Sequence, residues 1–463
     1  MHVINETLLD AFIEISGKEN VLIFSEDIAY YGSDQTGNYK FLFDLLIKPS
    51  SPDEISEIFK LCNKHQISVT PRGGGSGVTG GSLPVQGGIV LSLERLNKII
   101  SINKLDGFVI AESGVISKDL CDAVEEAGLY FPVSPSSSSF SFIGGNVAEN
   151  AGSVRTCKYG STDKYVLNLE VVLPTGDIIW TGANVAKNST GLNLTRLFVG
   201  SEGILGVITK VVYALVKKPK YKMTLLAAFE SLEDACGAIA LIKQSDTSPA
   251  AVELICDNAL KITNEYLGGK SPSIHENTKA NLLVELNEIN EAILIESIEI
   301  IRLILEKYTR KDILVGYSSS EREKLWNLRY NIGNALKHQN RSYRDIDICI
   351  PVSMLCPYIT HVESICNKNG VPVVCFGHAF DGNMHIMLVQ YPNNEYDDNI
   401  DLVLNEIYSY AISIGGVISG EHGIGFLQKK FMDIQFSQQN LRLMKEIKQI
   451  FDPNAILNPG KVL

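Results

Sequence analysis

Six glycines fall within the nine residues Gly73–Gly81, in the segment PRGGGSGVTGG at positions 71–81. Such a run is a poor helix or strand interior, because glycine loses more backbone freedom on ordering than any other residue. It can instead turn successive backbone N–H groups toward one concavity, a nest suited to a pyrophosphate. Gly75, Gly77 and Gly80 satisfy G-x-G-x-x-G, but that dinucleotide fingerprint opens a helix within a βαβ unit. Here Leu83-Pro84 and Gly87-Gly88 lead into an apolar run, Gly88–Leu93, that reads as a strand, and no Walker lysine follows. The pattern disfavours a Rossmann turn. A phosphate-cradling loop remains, with a flexible surface turn as the plainer alternative were the loop to stand alone.

Two further segments accompany it. Residues 134–160 read SPSSSSFSFIGGNVAENAGSVRTCKYG, where Gly144, Gly145, Ala148, Ala151 and Gly152 let a backbone approach a flat ligand and Asn146 and Asn150 offer amides. GSEGILGVIT (200–209) supplies Glu202, Gly203 and Gly206 before a strand. Three such segments in one domain predict a long, extended ligand threaded across several loops.

Between them lie short runs rich in Val, Ile and Leu, namely Ile67–Thr70, Gly88–Leu93, Gly107–Glu112, Leu167–Leu173 and Val207–Leu215, which read as strands. Pro52–Lys64 and Ser117–Ala127 read as helices. At 463 residues the chain must divide, and KKPKYK (217–222) is a plausible linker. Beyond it come a strand, Met223–Phe229, and amphipathic helices over Leu232–Lys243, Glu291–Lys307, Ser320–Lys337, Asn399–Ile414 and Gln438–Phe451, the last stopped by Asp452-Pro453. The predicted architecture is α+β throughout, with a first domain over 1–215, a second over 216–410 and a C-terminal segment over 411–463.

Charge and cysteines narrow the function. A net charge of −12 repels phosphate backbones and argues against nucleic acid as a partner. Nine scattered cysteines without Cys-x-x-Cys pairs point to reduced thiols in a cytoplasmic protein and away from an iron–sulfur cluster. No apolar run approaches the roughly 18–20 residues of a membrane span, and the first residues do not read as a signal peptide; a peripheral association with membrane stays compatible.

Three of the eight histidines fall in two short motifs. In GHAFDGNMH (377–385) an Asp381-Gly382-Asn383 turn separates the strand-like runs Val371–Phe376 and Ile386–Val389, a hairpin pattern. In register, His378 and His385 are expected to be cross-strand partners on one face, able to share a metal. SGEHGIG (419–425) adds Glu421 and His422 between glycines. Two His and one Glu with open positions form a familiar catalytic metal set. For any one of these histidines a buried, hydrogen-bonded core residue is the bland alternative. Asn383 serves the turn or orients a ligand.

Taken together, the glycine segments and the His–Glu motifs resemble the FAD-binding oxidoreductases of the vanillyl-alcohol oxidase / p-cresol methylhydroxylase superfamily, in the branch of D-lactate dehydrogenases and glycolate oxidase flavoprotein subunits. The resemblance runs from about residue 40 to Lys461. It implies a two-subdomain FAD-binding domain of the p-cresol methylhydroxylase type, to which the C-terminal segment 411–463 returns, and an α+β substrate (cap) domain. It implies that Arg72, Gly73, Gly74, Gly75, Ser76, Gly77, Thr79, Gly80 and Gly81 wrap the FAD pyrophosphate. The rest of the cofactor would be lined by Pro135, Ser136, Gly144, Gly145, Asn146, Asn150, Gly152, Tyr159, Gly160, Glu202, Gly206 and Ile208, with Asn458 and Lys461 approaching the isoalloxazine. Some relatives anchor flavin covalently through a loop histidine; with Ser76 here, FAD is expected to be non-covalent. His378, His385 and Glu421 match the family's ligands for a divalent metal, zinc first and manganese or iron as alternatives, and His422 matches its catalytic base.

Arg329 in LWNLRYNIG (325–333) fits the Trp-x-x-Arg pattern that relatives use to clamp a substrate carboxylate, a task for which bidentate arginine is suited. Relatives acting on 2-hydroxyglutarate carry a hydroxyl residue where Gly333 stands and a polar one where Met387 stands, so the expected substrate is a small D-2-hydroxy acid of lactate or glycolate size. Arg344 is a weaker carboxylate candidate. Electrons are expected to pass to a quinone, cytochrome, electron-transfer flavoprotein or iron–sulfur subunit, from a homodimer or a subunit of a complex. The alternatives are a D-2-hydroxyglutarate dehydrogenase and a non-redox FAD transferase of the alkylglycerone-phosphate synthase type.

Overall fold

The computed structural model describes residues 4–37, 39–269, 274–275, 277–338, 342–390 and 398–463. They divide into two compact units, one of residues 1–153, 160–218 and 421–463 and the other of 154–159 and 219–420.

The first unit contains two main sheets. Strands β1 (Val21–Ile23), β2 (Leu45–Ile47), β3 (Val69–Arg72) and β4 (Ile89–Ser92) form one, ordered β1-β2-β4-β3, with β3 and β4 parallel. The helix Pro52–His65 covers it for reasons written locally. Ser51 caps it by accepting from Glu54 N–H, Pro52 opens it, and Ile55, Ile58, Phe59 and Cys62 recur at i, i+3, i+4 and i+7. Those side chains are fully buried with Leu45, Ile47, Val69, Ile89 and Leu91; truncating Phe59 to alanine is expected to cost about 3–5 kcal/mol. The other sheet is antiparallel: β5 (Ile99–Asn103), β6 (Phe108–Glu112), β7 (Val166–Val172), β8 (Ile178–Trp180) and β9 (Val207–Ala214), ordered β5-β6-β9-β7-β8. After the helix Gln438–Phe451 the chain closes on this unit, Val69 N–H donating to Ile456 O at 2.8 Å and Asn458 N–H to Val69 O at 2.7 Å.

The second unit is built on one antiparallel sheet of seven strands: β10 (Tyr221–Phe229), β11 (Ala251–Cys256), β12 (Ala280–Glu288), β13 (Leu314–Gly316), β14 (Ser342–Cys349), β15 (Val373–His378) and β16 (Asn383–Gln390), ordered β13-β10-β12-β11-β15-β16-β14. Directly opposed residues share a face, so the registers fix two neighbouring rows on one side. One runs Leu226, Leu283, Glu253, His378, Asn383; the next runs Asn281, Ile255, Phe376, His385, Asp347.

Three local expectations need correction. The single helix expected over Ser320–Lys337 is two, Ser319–Tyr330 and Ile332–His338. Asn331 ends the first, its Nδ2 donating back to Asn327 O at 2.9 Å and so competing with helix continuation. The glycine- and asparagine-rich stretch 134–160 contains a helix, Ile143–Glu149, which intrinsic propensity hides and packing imposes. His378 and His385 are not opposed: His378 faces Asn383 and His385 faces Phe376, which makes the histidines diagonal neighbours. The turn takes up residues 379–382, four residues rather than the three of Asp381-Gly382-Asn383, and Asn383 already belongs to the second strand.

Candidate active site

In the first unit the glycine segment leaves β3 and reaches β4 without a helix among its residues, which removes the Rossmann alternative. The glycines of the three segments divide by what a side chain would meet. A Cβ at Gly74 would lie 2.1 Å from Phe140 O, one at Gly144 2.5 Å from Ser113 Cβ, and one at Gly206 2.5 Å from Val171 Cγ1. These glycines are required by packing. At Gly77 and Gly145 a Cβ would meet nothing within 4 Å, and at Gly73 nothing nearer than 3.7 Å. That open side is where a flat or phosphorylated ligand can lie against bare backbone.

The loop is held from below. Arg72 is buried and its Nη1 donates to Ser33 O at 2.7 Å; burial pulls its pKa down, against the pull of Asp34. Thr79 Oγ1 donates to His422 O at 3.0 Å, and Thr79 O accepts from Phe426 and Leu427 N–H. The Glu202 carboxylate accepts from Ile424 N–H at 2.8 Å and Gly425 N–H at 2.6 Å. Asn458 Nδ2 donates to Gly81 O and Glu202 O, and Lys461 Nζ donates to Leu83 O at 2.5 Å and to Asn458 Oδ1. Thus the glycine loop, the GSEG turn, the residues following His422 and the C-terminus form one stitched assembly. Burial sets its electrostatics: Glu202 is pushed up to about 7, Glu149 is raised by burial and then by Glu202, and Lys461 is pushed down to about 7.

The remaining predicted positions are spread more widely. Asn146 Nδ2 donates to Ser117 Oγ at 2.7 Å, and Asn150, at φ +53°, accepts from Asp163 N–H. Ile208 is buried in β9, Pro135 O accepts from Ser138 N–H, Ser136 is exposed, Gly152 is buried, and Gly160 turns at φ +87°. Gly75 and Gly80 are the loop's left-handed turns, and a Cβ at Gly75 would strike the Arg72 guanidinium; Ser76 lies between them. Tyr159 belongs to the second unit, where its hydroxyl donates to Asn287 Oδ1 at 2.9 Å.

In the second unit the histidines converge. His378 Nε2 and His385 Nε2 lie 3.4 Å apart, both side chains buried. Two ligands about 2.0–2.1 Å from a tetrahedral zinc stand about 3.3–3.4 Å from one another, so the spacing fits two imidazoles sharing a cation. His378 Nδ1 lies 2.5 Å from Glu253 Oε1. Arg329 Nε donates to Glu253 Oε2 at 2.6 Å, with its guanidinium over the Phe376 ring. Glu253 is wholly buried, yet its pKa is drawn down to about 2: burial raises it, and His378 and Arg329 more than offset that. An ionised carboxylate only accepts, so a neutral His378 would carry its proton on Nδ1 and keep the Nε2 lone pair.

Asp347 braces the other side. Its Oδ1 accepts from Asn383 Nδ2 at 2.6 Å and stands 3.8 Å from His385 Nδ1, while Oδ2 accepts from Ser419 Oγ and Gly420 N–H. The next residues along the chain are Glu421 and His422, whose Oε1 and Nε2 are 3.9 Å apart. Asn383 therefore serves Asp347 as well as the turn. Arg344, by contrast, is opposed to Leu388, on the sheet face away from His385, because successive strand residues alternate sides.

Sequence reasoning did not single out Glu253 or Asp347. A signal existed for the first: AVELIC (251–256) is an apolar strand interrupted by one carboxylate, and every residue of it is buried. A buried charge needs a partner.

Residues 43–182 match an FAD binding domain and residues 218–462 match the C-terminal domain of FAD linked oxidases. The chain belongs to the FAD-linked oxidases. It is 35% identical to the glycolate oxidase subunit GlcD of Bacillus subtilis, covering 99% of this chain and 97% of that one. It is 33% identical to a D-lactate dehydrogenase of Anaerostipes hadrus, covering 98% and 97%. The structure of p-cresol methylhydroxylase superposes with a TM-score of 0.76 at 19% identity, over 98% of this chain and 96% of the other. The fold of this FAD-linked oxidase is therefore of the p-cresol methylhydroxylase type, and FAD is its cofactor. Among the described residues no helix is long and apolar enough to cross a membrane.

Proposed function

We propose that this FAD-linked oxidase converts a small D-2-hydroxy acid, D-lactate or glycolate in size, to the 2-oxo acid. The observation that carries the reading is the pair of imidazole Nε2 atoms 3.4 Å apart on the sheet face that also anchors Arg329. The activities for which the two relatives are named, glycolate oxidation and D-lactate dehydrogenation, support the same class. We assign His378, His385 and Glu421 as ligands of a divalent metal, zinc in the first instance, residues 1–215 with 411–463 as the flavin-holding part, and residues 216–410 as a substrate (cap) domain. When bound, the flavin accepts hydride and the cation stabilises negative charge on the substrate oxygen.

The chain's own groups supply the rest. Arg329 has its Nε edge fixed by Glu253, which leaves the two terminal nitrogens to pair with a carboxylate. His422, tethered through its carbonyl by Thr79, takes the hydroxyl proton; an imidazole with a reference pKa of about 6.5 is suited to that near neutrality. Nothing lies within 4 Å of the Cβ position of Gly333, and Met387 packs in an apolar cluster with Leu328 and Phe376. Neither offers a partner to a second carboxylate, which favours monocarboxylates over 2-hydroxyglutarate. A non-NAD acceptor would take the electrons that the bound flavin supplies.

The experiment is anaerobic mixing of the oxidised holoenzyme with D-lactate, glycolate and D-2-hydroxyglutarate. Bleaching of the flavin absorbance by one of the first two is expected. An unchanged oxidised spectrum with all three would remove the reading.

A further inference from the structure

We propose that Glu253 is a positioning residue whose single carboxylate sets two things at once: the tautomer of His378 that can take a metal, and the orientation of the Arg329 fork. The inference rests on the function proposed above and adds a residue to it. Glu253 lies in β11 directly opposite His378 in β15, so sheet register delivers the carboxylate to the imidazole. Its two oxygens are divided, Oε1 to His378 Nδ1 at 2.5 Å and Oε2 to Arg329 Nε at 2.6 Å. Both partners must donate. Arginine always does, and a neutral His378 can do so only as the Nδ1–H tautomer, which directs the Nε2 lone pair at His385.

An amide in place of the carboxylate breaks this symmetry in a defined direction. Glu253→Gln keeps the shape but has one accepting and one donating end. Arg329 Nε–H cannot lose its proton, so the amide oxygen must stay with Arg329. The amide NH2 then faces His378 Nδ1, which has to become the acceptor, and the imidazole proton moves to Nε2. The nitrogen meant for the cation is then capped by hydrogen while the arginine is still held. Metal capture and carboxylate capture are thereby separated in one variant.

The test uses the FAD-loaded enzyme stripped of metal with a chelator and titrated with zinc against a chromogenic competitor. Nitrogen-15 histidine spectra report the His378 tautomer, and steady-state kinetics are run at saturating zinc. Zinc affinity is expected to fall on the order of 10- to 100-fold in Glu253→Gln, with the tautomer moved from Nδ1–H to Nε2–H. KM for the hydroxy acid should change by less than about 3-fold, as expected if the Arg329 contact survives, and FAD content should equal that of the parent. A variant that binds zinc as tightly as the parent, or keeps its Nδ1–H tautomer, overturns the inference. Failure of the parent itself to bind zinc or any other divalent ion overturns the metal assignment instead, so the two failures are distinct. Glu253→Ala strips a buried charge from under Arg329 and can cost the fold, so the glutamine variant carries the decision.

Discussion

Two buried glutamates, one in each unit, respond to the same burial in opposite ways. Glu202 accepts two backbone N–H bonds and is nevertheless pushed up to about 7; Glu253 faces an arginine and a histidine and is drawn down to about 2. Peptide dipoles satisfy hydrogen-bonding capacity without replacing the hydration of a full charge, whereas a fixed cation in contact does. The first unit accordingly has a cradle of backbone and near-neutral groups, fit for a ligand that brings its own phosphate charges. The second has a carboxylate that Arg329 and His378 hold in its ionised form and that fixes the direction of its neighbours. One site receives charge; the other holds it.

The largest effect should come from removing the cation beneath Glu253. Arg329→Met leaves that carboxylate buried with half of its partners, and breaking such a pair costs about 3–5 kcal/mol, read as a lowered urea midpoint. Because the same arginine is the proposed carboxylate clamp, kcat/KM for D-lactate or glycolate should fall by roughly two to three orders of magnitude. A variant that keeps its midpoint and its kcat/KM would erase the contrast between the two glutamates.

Glu202 supplies the opposite sign. Its folded pKa is raised, so its contribution to stability is fully present below the unfolded value of 4.5 and is lost as pH rises through about 7. The first unit should therefore lose stability, by on the order of 3 kcal/mol from this group, between pH 4.5 and 7. Lys461 is pushed down to about 7, which makes its penalty greatest at and below that pH and relieved as pH climbs toward 10.5. Glu202→Gln is expected to flatten the pH 4.5–7 limb of the thermal midpoint. An unaltered slope would mean that Glu202 is not held near neutrality.

How much of this was written in the sequence differs between the units. The strands and their flanking glycines were legible because Val, Ile and Leu runs and glycine punctuation are local signals, and helix Pro52–His65 carried its own caps. The histidine pair was legible from the turn between its strands. Its diagonal register was not, because it depends on a turn of 379–382 rather than on any side-chain preference. Helix Ile143–Glu149 was hidden by its glycines, of which Gly144 exists to let Ser113 approach. Glu253 and Asp347 escaped notice because their partners lie 125 and 36 residues away, at His378 and Asn383; only sheet register brings them together.

Within the cradle the glycines themselves provide the next contrast. Gly144→Ala puts a Cβ 2.5 Å from Ser113 Cβ and should destabilise the first unit by about 1–3 kcal/mol. Gly77→Ala meets nothing within 4 Å, so stability should stay level or rise by up to about 1 kcal/mol. Its effect should appear in the FAD dissociation constant, weakened about 10-fold where the methyl occupies ligand space, a change of about 1.4 kcal/mol. Equal thermal midpoints for the two variants would show that the division into packing glycines and ligand-facing glycines is mistaken.

The smallest expected effect concerns Thr79, whose hydroxyl ties the glycine loop to the carbonyl of His422. Thr79→Val removes one hydrogen bond from a half-buried carbonyl while keeping the β-branched shape, worth about 0.5–1.5 kcal/mol. The loop also holds the segment through Thr79 O, which accepts from Phe426 and Leu427 N–H, so the fold should survive. If the tether places the proton acceptor, kcat should drop by a factor of roughly 2–10 with KM nearly constant, because only an interaction made during proton transfer has been loosened. A change confined to the thermal midpoint, with kcat intact, would make Thr79 a strut of the loop and leave His422 to be positioned by Glu202 through the residues that follow it.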